Sequence, residues 1–97
     1  MKSLAEIQEI LRRHKAELAE RYKVKELSIF GSYARGEATP ESDLDLLVEF
    51  SEPISLFRFV ELEEHLSQLL GLRVELVSKG ALKPHIGKAV LRERIPV

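Results

Sequence analysis

The sequence predicts a small α/β (α+β) fold, a mixed β-sheet with helices packed on one face. Three observations predict it. The chain has 97 residues, a single domain's worth, with 44% apolar residues to fill one core. Three short aliphatic runs at 25–30, 43–50 and 72–78 read as strands, the latter two by alternation. Segments of helical period flank and separate them, in the order α-β-(α)-β-α-β-α. No repeat or linker divides the chain, so residues 1–97 are expected to form one domain.

The first helix is expected over 4–21. Leu4, Ile7, Leu11 and Leu18 fall on one stripe with Ile10 beside it, and Ser3 with Glu6 fits a capping box. The run 25–30 carries Leu27, Ile29 and Phe30 and ends at Gly31. Ser32 to Arg35 can open a short helix, and 36–42 is loop, with Pro40 and Ser42 as turn residues. In 43–50, Leu44, Leu46, Val48 and Phe50 face one way, and Asp43, Asp45, Leu47 and Glu49 the other. Ser55 starts a helix whose expected stripe is Leu56, Phe59, Val60, Leu66, Leu69 and Leu70, with Gly71 as its stop. In 72–78, Leu72, Val74 and Leu76 oppose Arg73, Glu75 and Val77. A last helix is expected over 84–94, with Pro84 in its first turn, and Ile95, Pro96 and Val97 as an edge strand.

Composition excludes several functions. Fifteen Lys and Arg against 16 Asp and Glu give a net charge of −1, without the basic excess of a nucleic-acid coat. The absence of cysteine excludes a disulfide scaffold, a cysteine zinc site and thiol catalysis. No apolar run approaches the ~18 residues of a membrane span, and the N-terminal residues lack an apolar signal core. A cytoplasmic protein without a membrane partner is the expectation.

The chemistry concentrates between Gly31 and Asp45. Gly31 and Ser32 stand where a strand meets a helix start. Glycine lets a phosphate approach the backbone, a helix start offers free amides, and Ser32 adds a hydroxyl. After ten further residues, Asp43 and Asp45 follow at i and i+2 on a strand. This spacing puts both carboxylates on one face, about 6.6 Å apart along the strand. Two such charges repel unless a cation sits between them, and Mg²⁺ takes one or two carboxylates together with substrate phosphates. By strand parity Glu75 shares that face. Three carboxylates beside a phosphate-binding turn can hold two metal ions about 3.5–4 Å apart. Arg35 either binds a phosphate or pairs with Glu37 or Glu41. Tyr33 either stacks on a base or packs. Lys79, Lys83 and Lys88 read as surface charge, Glu49 as solvated, and His14, His65 and His85 as surface or rim residues.

The run Gly31-Ser32-Tyr33-Ala34-Arg35-Gly36, the ten-residue spacer, Asp43-Leu44-Asp45 and the later Glu75 resemble the signature of the nucleotidyltransferase superfamily of DNA polymerase β. The small size is similar to its minimal nucleotidyltransferase (MNT) group. Glu75 stands where aspartate is more usual. The resemblance implies Mg²⁺-dependent transfer of a nucleoside monophosphate from an NTP, usually ATP, to an acceptor. Asp43, Asp45 and Glu75 would be the metal and catalytic residues, and Gly31 and Ser32 would hold the β- and γ-phosphates. Minimal members are similar to the antitoxins of HEPN–MNT toxin–antitoxin pairs, which adenylylate a tyrosine of the HEPN ribonuclease. The size fits independently, because 97 residues leave no room for an acceptor-holding domain and a partner would share that site. Two other expectations stand beside it: a catalytically inactive binding antitoxin, and a transferase acting on RNA or a small hydroxylated compound.

Overall fold

A computed structural model describes Met1 to Val97. The elements are α1 (Leu4–Arg13), α2 (Lys15–Tyr22), β1 (Val24–Phe30), α3 (Ser32–Arg35), β2 (Leu44–Phe50), α4 (Leu56–Leu70), β3 (Val74–Ser78), α5 (Pro84–Glu93) and β4 (Ile95–Pro96). A 3₁₀ turn, Lys79–Ala81, joins β3 to the approach of α5. The four strands lie in the order β3-β2-β1-β4. β2 pairs antiparallel with β1 and parallel with β3, and β4 pairs antiparallel with β1, so the sheet is mixed.

Local chemistry sets most boundaries. Ser3 accepts from the Glu6 amide while the Glu6 carboxylate accepts from the Ser3 amide, both at 3.1 Å, closing the capping box. Ser55 caps α4 through the Arg58 amide at 3.1 Å, and Gly71 ends it in the left-handed region at φ 64°.

The single helix expected over 4–21 is broken at His14. In a continuous helix the His14 amide would donate to the Ile10 carbonyl. Here the His14 ring Nδ1 takes that carbonyl at 2.8 Å, and the amide bonds the Leu11 carbonyl instead at 3.1 Å. The backbone tightens for one residue and a second helix begins.

The aliphatic faces of the strands form the main core. Leu44, Leu46 and Val48 of β2 are buried with Leu27 and Ile29 of β1 and Val74 and Leu76 of β3. Ile7, Leu11, Leu18 and Tyr22 cover them from α1 and α2, and Leu62, Leu66 and Leu70 from α4. The phase of α4 corrects the expected stripe. Leu62 replaces Leu56 and Val60, which are 78% and 52% exposed beside Phe57 at 79%. α5 contributes nothing to this core; its buried Gly87 and Val90 lie outside it. The other sheet face is covered in its middle, since Leu47 and Ser28 are buried, but it stays accessible where Asp45 and Glu75 stand. No helix is long and apolar enough to cross a membrane.

Candidate active site

Register brings the site together. Along the parallel pair, Leu44 lies beside Val74 and Asp45 beside Glu75. The Leu44 amide donates to the Arg73 carbonyl at 2.9 Å, which locks the start of β2 to the approach of β3. Asp45 and Glu75 therefore stand side by side on neighbouring strands, as their parity predicted. On its other side Asp45 is paired with Phe30, one residue before the β1–α3 turn.

Asp43 stands one residue ahead of β2. The loop before it is fastened by the Thr39 amide donating to the Ser42 hydroxyl at 2.9 Å and the Ser42 amide donating to the Thr39 carbonyl at 3.0 Å. Asp43 lies 3.9 Å from the Arg73 guanidinium, but that side chain is 86% exposed, so water screens the pair.

The electrostatics single out Asp45. Its pKa is pushed up to about 6, first by partial burial, then by the Glu75 charge, by a hydrogen bond with the Glu75 carboxyl, and by Asp43; Arg35 opposes these weakly. One proton shared between two adjacent carboxyls relieves the same repulsion that a cation would. No three acidic or imidazole groups of the chain are arranged to hold a metal ion by themselves. The donor set still fits Mg²⁺: it is all oxygen, accessible and over-charged, and this ion accepts one or two carboxylates when phosphates supply further ligands.

Gly31 has two structural jobs. A Cβ built on it would lie 2.1 Å from Asp45 Oδ2, and its φ of +75° with ψ of −152° is a glycine conformation. The missing side chain is therefore what lets β1 end against the Asp45 carboxylate. Its amide, expected to face a phosphate, donates instead to Glu93 Oε1 at 2.8 Å. Ser32 follows as the first residue of α3, and its carbonyl accepts from the Glu37 amide at 2.9 Å.

Arg35 is engaged by two acids. Its Nε donates to Glu37 Oε1 at 2.7 Å, and its Nη1 lies 3.3 Å from both Glu93 oxygens. These contacts raise its pKa further, Glu37 first and then Glu93. Of the expected pairings Glu37 is present, with Glu93 as second partner in place of Glu41. Tyr33 is buried in the core, which is the packing alternative. Lys79 lies 3.6 Å from Glu49. His65 is less open than expected, its Nε2 buried and 3.5 Å from Glu17.

Sequence reasoning missed Glu93. It stands 62 residues from Gly31 in the chain, and no spacing rule reaches that far. The one available signal was the tail strand, whose pairing with β1 carries Glu93 to the turn.

Comparison with known proteins places the chain in a family. A family model described as a nucleotidyltransferase domain matches residues 11–97. The chain belongs to the nucleotidyltransferase domain family. The protein adenylyltransferase MntA of Thermococcus cleftensis is 57% identical over 97 residues, spanning 100% of this chain and 98% of that protein. A solved structure described as a minimal nucleotidyltransferase superposes with a TM-score of 0.77 at 42% identity, covering 94% of this chain and 95% of the other. An MNT antitoxin complex with the tri-AMPylated Shewanella oneidensis HEPN toxin has a TM-score of 0.68 at 20% identity, covering 93% and 70%; at that identity the likeness is one of fold. In this nucleotidyltransferase the Gly31–Ser32 turn and the Asp45–Glu75 pair lie in one small sheet.

Proposed function

We propose that the chain transfers AMP from ATP to a hydroxyl of a partner protein, with a tyrosine of a HEPN-type toxin as the acceptor. The observation that carries this reading is the side-by-side placement of Asp45 and Glu75 next to the Gly31–Ser32 turn. The naming of a 57%-identical full-length relative as a protein adenylyltransferase supports the protein acceptor. The fold shared with an antitoxin bound to an AMPylated HEPN toxin supports the partner class.

In the reaction, the acceptor oxygen attacks the α-phosphorus, a phosphodiester forms, and pyrophosphate leaves. Asp45 and Glu75, with Asp43 beside them, would hold Mg²⁺, which when bound stabilises the negative charge of the reacting triphosphate. The Ser32 hydroxyl contributes a donor to the triphosphate. Glu75, the more exposed of the pair, would take the proton of the incoming hydroxyl. Arg35, held by Glu37 and Glu93, braces the turn and moderates the charge on Asp45.

The test is a labelling assay with ATP labelled at its α-phosphate, Mg²⁺ and a HEPN-type partner, run beside Asp45→Asn. Label on the partner, absent with the variant, is the expected result. Label on RNA or a small molecule would move the acceptor to another class. An unlabelled partner that still forms a tight complex would make the chain a binding antitoxin.

A further inference from the structure

We propose that Glu93 is a positioning residue of the nucleotide site, clamping the Gly31 peptide and the Arg35 guanidinium in the geometry that receives the triphosphate. This role rests on the nucleotide-transfer reading above.

Glu93 ends α5. Arg94 then turns the chain to extended geometry, and Ile95 pairs with Ile29 of β1, two residues before Gly31. The Val97 amide donates to the Leu27 carbonyl at 3.0 Å and extends this attachment. The last helix is thereby tied to the end of β1, and its final side chain is delivered to the turn.

There one carboxylate makes three contacts. Oε1 accepts from the Gly31 amide at 2.8 Å and lies 3.3 Å from Arg35 Nη1, and Oε2 lies 3.3 Å from the same nitrogen. The side chain is 28% exposed, less than its partner Arg35 at 48%. Gly31 is buried, and Glu93 is the acceptor its amide finds. Its peptide is also the one that must stay still, because Asp45 fills the space that a Cβ at this position would take. Holding that peptide fixes both the Ser32 hydroxyl and the clearance for Asp45.

The same contacts have a rival meaning. A carboxylate on a backbone amide and an arginine is what a phosphate would look like, so Glu93 could be a stand-in that the triphosphate displaces. The attachment of β4 and the use of both oxygens favour the clamp. The rivals predict opposite effects on affinity: losing a clamp weakens nucleotide binding, whereas losing a stand-in strengthens it.

The experiment compares wild type, Glu93→Ala and Glu93→Gln. The probe is a non-hydrolysable ATP analogue with Mg²⁺ in titration calorimetry, together with amide exchange at Gly31 and Ser32 in the nucleotide-free protein. Glu93→Ala should bind the analogue about tenfold more weakly and speed amide exchange at Gly31 by at least about tenfold. Glu93→Gln, which keeps a carbonyl oxygen for the Gly31 amide, should recover most of both. It also serves if the alanine variant folds poorly. In turnover, KM for ATP should rise more than kcat falls. Affinity unchanged or tighter in Glu93→Ala, with wild type binding normally, overturns the clamp and leaves the transfer reading intact. Wild type that binds no nucleotide overturns the transfer reading and this role with it.

Discussion

Replacing Gly31 by alanine tests the contact on which the site is built. The added Cβ would lie 2.1 Å from Asp45 Oδ2, 3.0 Å from Cγ and 3.2 Å from Cβ. Asp45 cannot swing away freely, because its own Cβ is among the crowded atoms and Glu75 stands beside it on β3. The backbone is strained as well. A φ of +75° with ψ of −152° costs a non-glycine residue about 1–3 kcal/mol. Overpacking adds about 1–3 kcal/mol.

Gly36 supplies the control. It has almost the same φ, +73°, with nothing within 4 Å of its would-be Cβ. Gly36→Ala should cost only the left-handed penalty of about 1–2 kcal/mol. In a domain of this size each kcal/mol moves Tm by about 4–8 °C. Gly31→Ala should therefore melt clearly below Gly36→Ala in thermal denaturation followed by circular dichroism. A double-mutant cycle isolates the overlap. In an Asp45→Ala background the two nearest contacts vanish, so Gly31→Ala should cost about 1–3 kcal/mol less than in wild type. Equal melting of the two glycine variants, or simple additivity in the cycle, would refute the view that Asp45 rests against Gly31.

Asp45→Asn should abolish transfer yet, with divalent cations chelated at pH 7, leave the fold at least as stable as wild type, because it removes the Asp45–Glu75 repulsion; thermal melts check this. Asp45 titrates at about 6 when folded against an ordinary 3.8, so between those values the folded chain holds a proton that the unfolded chain has released. Its contribution to stability should fall as pH rises from about 4 to 6 and stay flat above, seen as a pH-dependent Tm difference between wild type and Asp45→Asn. Leu62→Ala, in the fully buried α4 stripe, should cost about 2–5 kcal/mol by urea denaturation. Leu56→Ala, on the exposed flank of the same helix, should stay within about 0.5 kcal/mol.

The legible parts of the sequence were those set by short-range rules. Alternation alone put Leu44, Leu46 and Val48 in the core and left Asp45 on the opposite face with Glu75. Ser55 and Gly71 marked the ends of α4 because capping is local chemistry. The phase of α4 was not legible. Leu56, Phe57, Phe59, Val60, Leu62, Leu66, Leu69 and Leu70 spread apolar surface around most of the helix, so more than one stripe fits the period. Contact with the sheet selects Leu62, Leu66 and Leu70. The break at His14 escaped for a different reason: a side chain replaces a backbone amide at one carbonyl, and this leaves the Leu11–Leu18 spacing unchanged. Glu93 depends on a strand pairing that only the assembled sheet defines.

β2 joins stability and chemistry in seven residues. Its inward Leu44, Leu46 and Val48 bury fully and anchor the strand, each aliphatic side chain contributing about 1.5–3 kcal/mol. That anchoring is what keeps Asp45 beside Glu75 when their charges would part. The strain is local, and a proton or a cation relieves it. Glu75 lies on β3, the edge strand of the sheet, and no strand of the chain lies beyond it. On the proposed function, the acceptor hydroxyl reaches the carboxylate pair from that edge. The chain then holds the nucleotide end of the reaction on a rigid strand, and the partner supplies the acceptor wall that the sheet does not build.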